Sequence, residues 1–337
     1  MTNSSNTEAA AIATRTRSSG GSGQRLWNTF IQSQALVLLG FLVVVSVVIS
    51  VLAPRFMTVD NVAVITRAAA FVALVSLGQM TCLIAGVIDL SVGAVGGFAG
   101  VCTALLMYNT SIEPYVCIVI GILIGAVVGM INGTLVTRFK LNPFIVTLAM
   151  SFVISGLILV TTGGWAIPDL PKKIEWMGRG NLGPIPVPTL IAIIVAILLA
   201  FLLNRTYIGR HIFAMGGNKE AAILVGIPVN RLTTLVYVIS GSLAALAGVM
   251  MLARLASGQP TVGQGWLLPS FAAPILGGAA LNGGAGSVLG TLVGATLMAV
   301  IQNSIVMTGM SVYWENVVVG LVLVGAIVLD RLRGRAD

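Results

Sequence analysis

Nine stretches of this chain run for 14 residues or more without one charged side chain. They are Leu26–Pro54, Ala68–Ile88, Leu90–Ile112, Pro114–Thr137, Leu141–Pro168, Gly180–Asn204, Leu232–Ala253, Leu255–Trp314 and Asn316–Leu329. A bilayer core about 30 Å thick is crossed by roughly 20 apolar residues of helix. Only helices and closed barrels satisfy their own backbone groups in lipid. The run from Leu255 to Trp314 is 60 residues, too long for one crossing, and GGAALNGGAG (277–286) divides it, since glycines and an Asn punctuate helices. The fold class expected is therefore an all-α polytopic membrane protein with ten transmembrane helices. They fall at 34–53, 63–85, 91–108, 115–137, 144–162, 188–204, 232–252, 267–280, 287–306 and 314–330. Only 8% of the 337 residues are charged, against about 25% in a typical soluble domain.

The net charge of +8 has a topological reading rather than a nucleic-acid one. With the N-terminus inside and ten spans, the inside segments hold twelve Lys and Arg and the outside segments six. That is the positive-inside bias that sets orientation. Residues 1–33, polar and rich in Ser, Thr, Gly and Ala, are expected to form a disordered cytoplasmic N-terminal tail. Residues 34–331 form the membrane domain and 332–337 a cytoplasmic C-terminal tail. Two connections are long: an outside loop at 163–187 and an inside loop at 205–231. Cys82, Cys102 and Cys117 lie in apolar runs without CxxC spacing and read as small core residues. With a single histidine, His211, in a basic loop, no metal, cofactor or catalytic constellation can be assembled, so no enzyme activity is expected.

The acid in GVIDLSVG (86–93) is the sharpest local feature. A charge at mid-membrane costs about 2.5–3.5 kcal/mol on insertion scales, so Asp89 should avoid lipid. Gly86 can stop one helix, and Asp89 or Ser91 can cap the next, facing the positive end of its dipole, with Gly93 closing the motif. The alternatives are a polar contact with a solute, a hinge, or an ion pair. No GxxxxGK[ST] occurs, so this chain has no P-loop for ATP. Energy for any active transport comes from another chain or from an ion gradient. A gradient-driven carrier usually places several ionisable groups at mid-membrane. Only Asp89, Arg254, Glu315 and Asp330 lie in or beside spans here.

GVIDLSVG resembles the GGIDLSVG-type signature of permease subunits in bacterial ribose-like sugar ABC importers, with Val87 where Gly is common. LNPFIVTLAM, GGNKEAAILVGIPVNR and ILGGAALNGGAGSVLGTLVGA follow in the family's order, so the resemblance covers about 34 to 331. It implies an inner-membrane subunit translocating a monosaccharide or related polyol, with both termini cytoplasmic. It also implies three partners besides membrane lipid: a second permease copy, a cytosolic ABC ATPase and a periplasmic sugar-binding protein. The implied fold is similar to that of the cobalamin importer. Branched-chain amino acid permeases share a coupling loop of this form, and the IDLSVG block favours the sugar branch.

Glu220-Ala-Ala-x-x-x-Gly226 matches the first half of the EAA signature that such permeases present to their ATPase. The Ile-x-Leu-Pro expected after it is replaced by LVYVISGS. The resemblance therefore assigns ATPase coupling to Gly217, Asn218, Glu220, Ala221, Ala222, Gly226 and Arg231. Physically, Lys219–Val225 reads as one short helix with Asn218 as cap and Gly226 as stop. Polar residues within spans, Gln79, Asn132, Gln302 and Asn303, are candidates for a solute path, with Ser151, Ser155, Trp314 and Glu315 beside them. Each could equally be a helix–helix hydrogen bond. With 40 glycines in the chain, GxxxG spacing discriminates nothing.

Overall fold

The computed structural model describes residues 34–311 and 313–333. The expected N-terminal tail and residues 334–337 lie outside the described residues. The helices are α1 (Gln34–Leu52), α2 (Val59–Ile84), α3 (Val92–Asn109), α4 (Pro114–Arg138), α5 (Pro143–Thr162), α6 (Glu175–Arg179), α7 (Val187–Arg205), α8 (Tyr207–Gly217), α9 (Lys219–Leu224), α10 (Val229–Leu255), α11 (Leu267–Leu276), α12 (Val288–Met307) and α13 (Trp314–Arg333). Eight of these, α1 to α5, α7, α10 and α12, are long and apolar enough to cross a bilayer. The apolar part of α13 (Trp314–Gly325) and the whole of α11 are shorter. The sheet content described is one hairpin, β1 (Asn181–Leu182) with β2 (Ile185–Pro186).

Helix ends follow local chemistry. Pro at the first turn and Asn142 as cap start α5, Asn142 Oδ1 accepting the Phe144 N–H at 2.9 Å. α2 starts at Val59, four residues before the expected 63, because Thr58 caps it and Asp60 sits in its first turn. Arg67 lies within this helix, one residue before the charge-free run begins. It stays solvated by protein, its Nη2 donating to Asn181 Oδ1 at 2.8 Å and to the Arg179 carbonyl at 3.4 Å. α13 continues to Arg333, past the expected boundary at 331.

α10 is the hub, packed on α4, α3 and α2, while α11 and α12 close the other side of α2. The close approach is built from glycine. Gly121, Gly125, Gly129 and Gly133 lie one turn apart on α4, and a Cβ at 125, 129 or 133 would strike Gly241 and Ala245, Tyr237, or Thr234 of α10. Small residues that let helix backbones touch replace the hydrophobic driving force that lipid does not provide. Outward faces are apolar: Val43, Val44, Val47 and Val51 of α1 and Phe152, Val153 and Val160 of α5 are all exposed. Such a surface is stable only against acyl chains or another apolar face.

On one face the 163–187 connection folds over the helix ends. Its Ile167 pairs with Gly258 in an antiparallel bridge, and Trp176 Nε1 donates to the Tyr115 hydroxyl at 3.2 Å. The opposite face carries α8 and α9.

Candidate functional site

Between α2 and α3 the chain is not helical. α2 ends in a glycine cap: the Gly86 N–H donates to the Leu83 carbonyl at 2.9 Å and the Val87 N–H to the Cys82 carbonyl at 3.0 Å. Gly86 has φ +74°, a conformation that only glycine adopts without cost. Asp89 follows, 1% exposed. Its Oδ1 accepts the Ser91 N–H at 2.9 Å and the Ser91 hydroxyl at 2.6 Å, and its Oδ2 accepts the Ser240 hydroxyl of α10 at 2.8 Å. Asn132 of α4 donates to the Ser91 oxygen at 2.9 Å, and the Tyr237 hydroxyl of α10 donates to the Ile88 carbonyl at 3.0 Å. The broken segment is thus tied to two neighbouring helices by a buried polar network. This satisfies the rule that irregular backbone at membrane depth must lie inside protein.

Ser91 does not cap α3 as the sequence leads one to expect. Ser91 occupies the cap position of α3 but makes no capping bond; its hydroxyl is spent on Asp89. Asp89 acts one step earlier, holding the turn before α3 and latching it to α10. Among the described residues the ion pairs are Lys173–Glu113 and Arg179–Glu175, so no basic residue partners Asp89.

The other connected segment is α8–α9. Asn218 caps α9 as expected, its Oδ1 accepting the Ala221 N–H at 2.9 Å. Gly226 ends it with φ +81°, again with a glycine cap: Gly226 N–H to Ile223 O and Ile227 N–H to Ala222 O, both 3.0 Å. Ala221, Glu220 and Arg231 face outward. Ala222 does not: it is buried at 3% against Ile212, Met215 and Val229, so it anchors α9 to its own chain. The outward apolar surface is instead Ile223, Leu224 and Val225, exposed by 56%, 87% and 76%. Gly217 is open, whereas a Cβ on its neighbour Gly216 would strike the Ile84 carbonyl at the end of α2. The Gly284 N–H donates to that same carbonyl at 2.9 Å, so the 277–286 break, α8 and the end of α2 meet there.

The solute-path candidates separate. Gln79 is fully buried with both amide atoms unpartnered, and Asn132 belongs to the Asp89 network. Asn303 is a helix clamp, exchanging two hydrogen bonds with Asn61 at 2.9 and 3.0 Å. Gln302 lines a 440 Å³ cavity, with Glu315, at the end of α12. Ser151 and Ser155 line a second cavity of 230 Å³ beside Gly93 and Leu90. A third, of 690 Å³, opens beside Gly86, Val87, Met215 and Lys219. Sequence reasoning missed Ser240 and Tyr237. They stand in LVYVISGS, where the EAA pattern departs, and their i, i+3 spacing places both on one helix face.

A family model described as "Branched-chain amino acid transport system / permease component" matches residues 61–327. The ribose import permease protein of Bacillus subtilis (strain 168) is 38% identical over 87% of this chain and 91% of its own length. The D-allose transport system permease protein of Escherichia coli (strain K12) is 34% identical over 82% and 85%. The L-arabinose transport system permease protein of the same strain is 32% identical over 93% of each chain. The resemblance drawn from GVIDLSVG and the blocks after it therefore holds, and this chain belongs to the branched-chain amino acid transport system / permease component family.

Proposed function

We propose that this chain is the membrane-spanning, non-catalytic subunit of an ATP-driven importer for a monosaccharide or related polyol in a bacterial inner membrane. The observation that carries this reading is likeness along nearly the whole chain to permeases named for ribose, allose and arabinose. The family description names branched-chain amino acids, yet these relatives are sugar permeases, which favours the sugar branch. The assembly is a pair of permease copies, a cytosolic ABC ATPase and a periplasmic sugar-binding protein, in a ten-span fold similar to the cobalamin importer's. The twelve-to-six bias of basic residues supports cytoplasmic termini, with 205–231 inside and 163–187 outside. Gly217–Arg231 is the ATPase-coupling segment, and the exposed Ile223, Leu224 and Val225 support this, being an apolar face on the water side of a membrane protein.

Asp89 and its network brace the inner half of α10, the helix whose first turn belongs to the coupling segment. A push on α9 is thereby delivered to the helix break. A coupling acid for a proton or sodium ion needs access to water; Asp89 is 1% exposed and accepts three protein hydrogen bonds, which supports the structural role. The test is the neighbouring reading frames and their products. An ATPase with two nucleotide-binding halves and a secreted binding protein whose thermal unfolding shifts with a monosaccharide support the proposal. A binding protein that shifts with leucine and with no sugar would overturn the sugar branch.

A further inference from the structure

We infer that the 440 Å³ cavity at the ends of α10, α12 and α13 is a monosaccharide-binding chamber, floored by the loop at 256–266. This rests on the importer reading above and on the orientation that places this end of the helices outside. The volume lies within the roughly 300–1,000 Å³ of small-ligand sites. Its chemistry suits a polyol better than an amino acid or an ion. Glu315 and Gln302 line it as a preset pair, the Gln302 Nε2 donating to the Glu315 Oε1 at 2.7 Å. That bond leaves the carboxylate's second oxygen and the amide oxygen as acceptors for sugar hydroxyls. Gln259 and Thr261 line the loop side, and Trp266 adds an aromatic face for the apolar side of a sugar ring. Among the described residues no cation lines the chamber to hold an α-carboxylate, which an amino-acid site needs.

Position supports the same assignment. Val262 and Gly263 line both this chamber and the 230 Å³ cavity of Ser151 and Ser155. One loop therefore separates the two. Gly263, with φ +90°, lies so close to Gly93 in the first turn of α3 that a Cβ on either would strike the other's carbonyl. The loop thus rests on the residue just past the helix break, and the 690 Å³ cavity opens on the other side of that break at Gly86 and Val87. Three cavities and two non-helical partitions alternate from one face to the other. Irregular backbone is tolerated at membrane depth where it is enclosed by protein or lines a cavity. A chamber that binds too tightly would trap its solute, so a few neutral and one charged contact suit a transit site.

The test uses the complete importer in liposomes, measuring uptake of labelled D-ribose, D-allose and L-arabinose alongside ATP hydrolysis stimulated by loaded binding protein. Glu315→Gln weakens a charged acceptor and should lower uptake about tenfold, and Thr261→Val, losing one neutral contact, about fivefold. Stimulated hydrolysis should stay within twofold in both, and the ratio among the three sugars should shift. Uptake and hydrolysis falling in proportion would mark a merely structural role and overturn the site. So would variants that match a wild type importing sugar normally. A wild type that imports leucine and none of the three sugars would bring down the functional reading and this chamber together.

Discussion

Replacing Asp89 separates its role as an acceptor from any role as a charge. Its carboxylate accepts two bonds from Ser91 and one from Ser240, between 2.6 and 2.9 Å. Ser91 and Ser240 are both fully buried, so a hydrocarbon at position 89 strands three donors away from water. Each buried donor left unpaired costs about 1–3 kcal/mol, and partial relaxation of the loop reduces the sum. Asp89→Leu should therefore destabilise the protein by roughly 3–6 kcal/mol. Asp89→Asn keeps an oxygen for Ser91, and the Ser240 hydroxyl can turn to accept from the new amide, since a hydroxyl does both. What is lost is charge assistance, about 1–2 kcal/mol. The assay is thermal unfolding of the purified permease in one detergent, with uptake measured in parallel. Ser240→Ala completes a double-mutant cycle with Asp89→Asn, and a coupling of about 1 kcal/mol is expected. Asn as damaging as Leu, or no coupling to Ser240, would refute the latch.

Four further outcomes follow from named positions. Gly226→Val forces a β-branched residue to φ +81°, straining the end of α9 by about 1–3 kcal/mol, so recovery of the co-purified ATPase should fall severalfold with membrane insertion intact. Leu224→Asp, at a side chain 87% exposed, should do the same without strain, and unchanged recovery in both would remove this segment from coupling. Gly129→Leu drives a side chain into the Tyr237 carbonyl and should abolish folded protein, whereas Gly156→Leu, with nothing within 4 Å, should be accepted; equal yields would refute the glycine seam. Single cysteines replacing Lys172 and Lys219 should react with an impermeant maleimide from opposite sides, and reaction from one side would refute the ten-span orientation.

The helices were legible because their signal is local. The expected spans map to helices whose ends fall within four residues of expectation, the largest shifts being the start of α2 and the end of α11. Arg67, inside α2, has partners the sequence does not reveal: Asn181 and the Arg179 carbonyl come from a segment more than 100 residues away. The two glycine caps at Gly86 and Gly226 were also readable, since a positive φ after a helix selects glycine. Pairings were not. Nothing in IDLSVG points to Ser240, and the α4 glycines at 121, 125, 129 and 133 are an informative stripe only once α10 is known to face them. Ala222 shows the same limit. Its small side chain fits either a partner's groove or its own chain, and only burial against Ile212 and Met215 decides.

The energy source is the central claim, and one reconstitution tests it most directly. The permease, its ATPase and its binding protein are placed in liposomes with the binding protein outside, and labelled D-ribose, D-allose and L-arabinose are offered separately. ATP enclosed with the ATPase should drive their accumulation, with an imposed proton or sodium gradient adding nothing. Accumulation driven by either gradient without ATP would contradict the account.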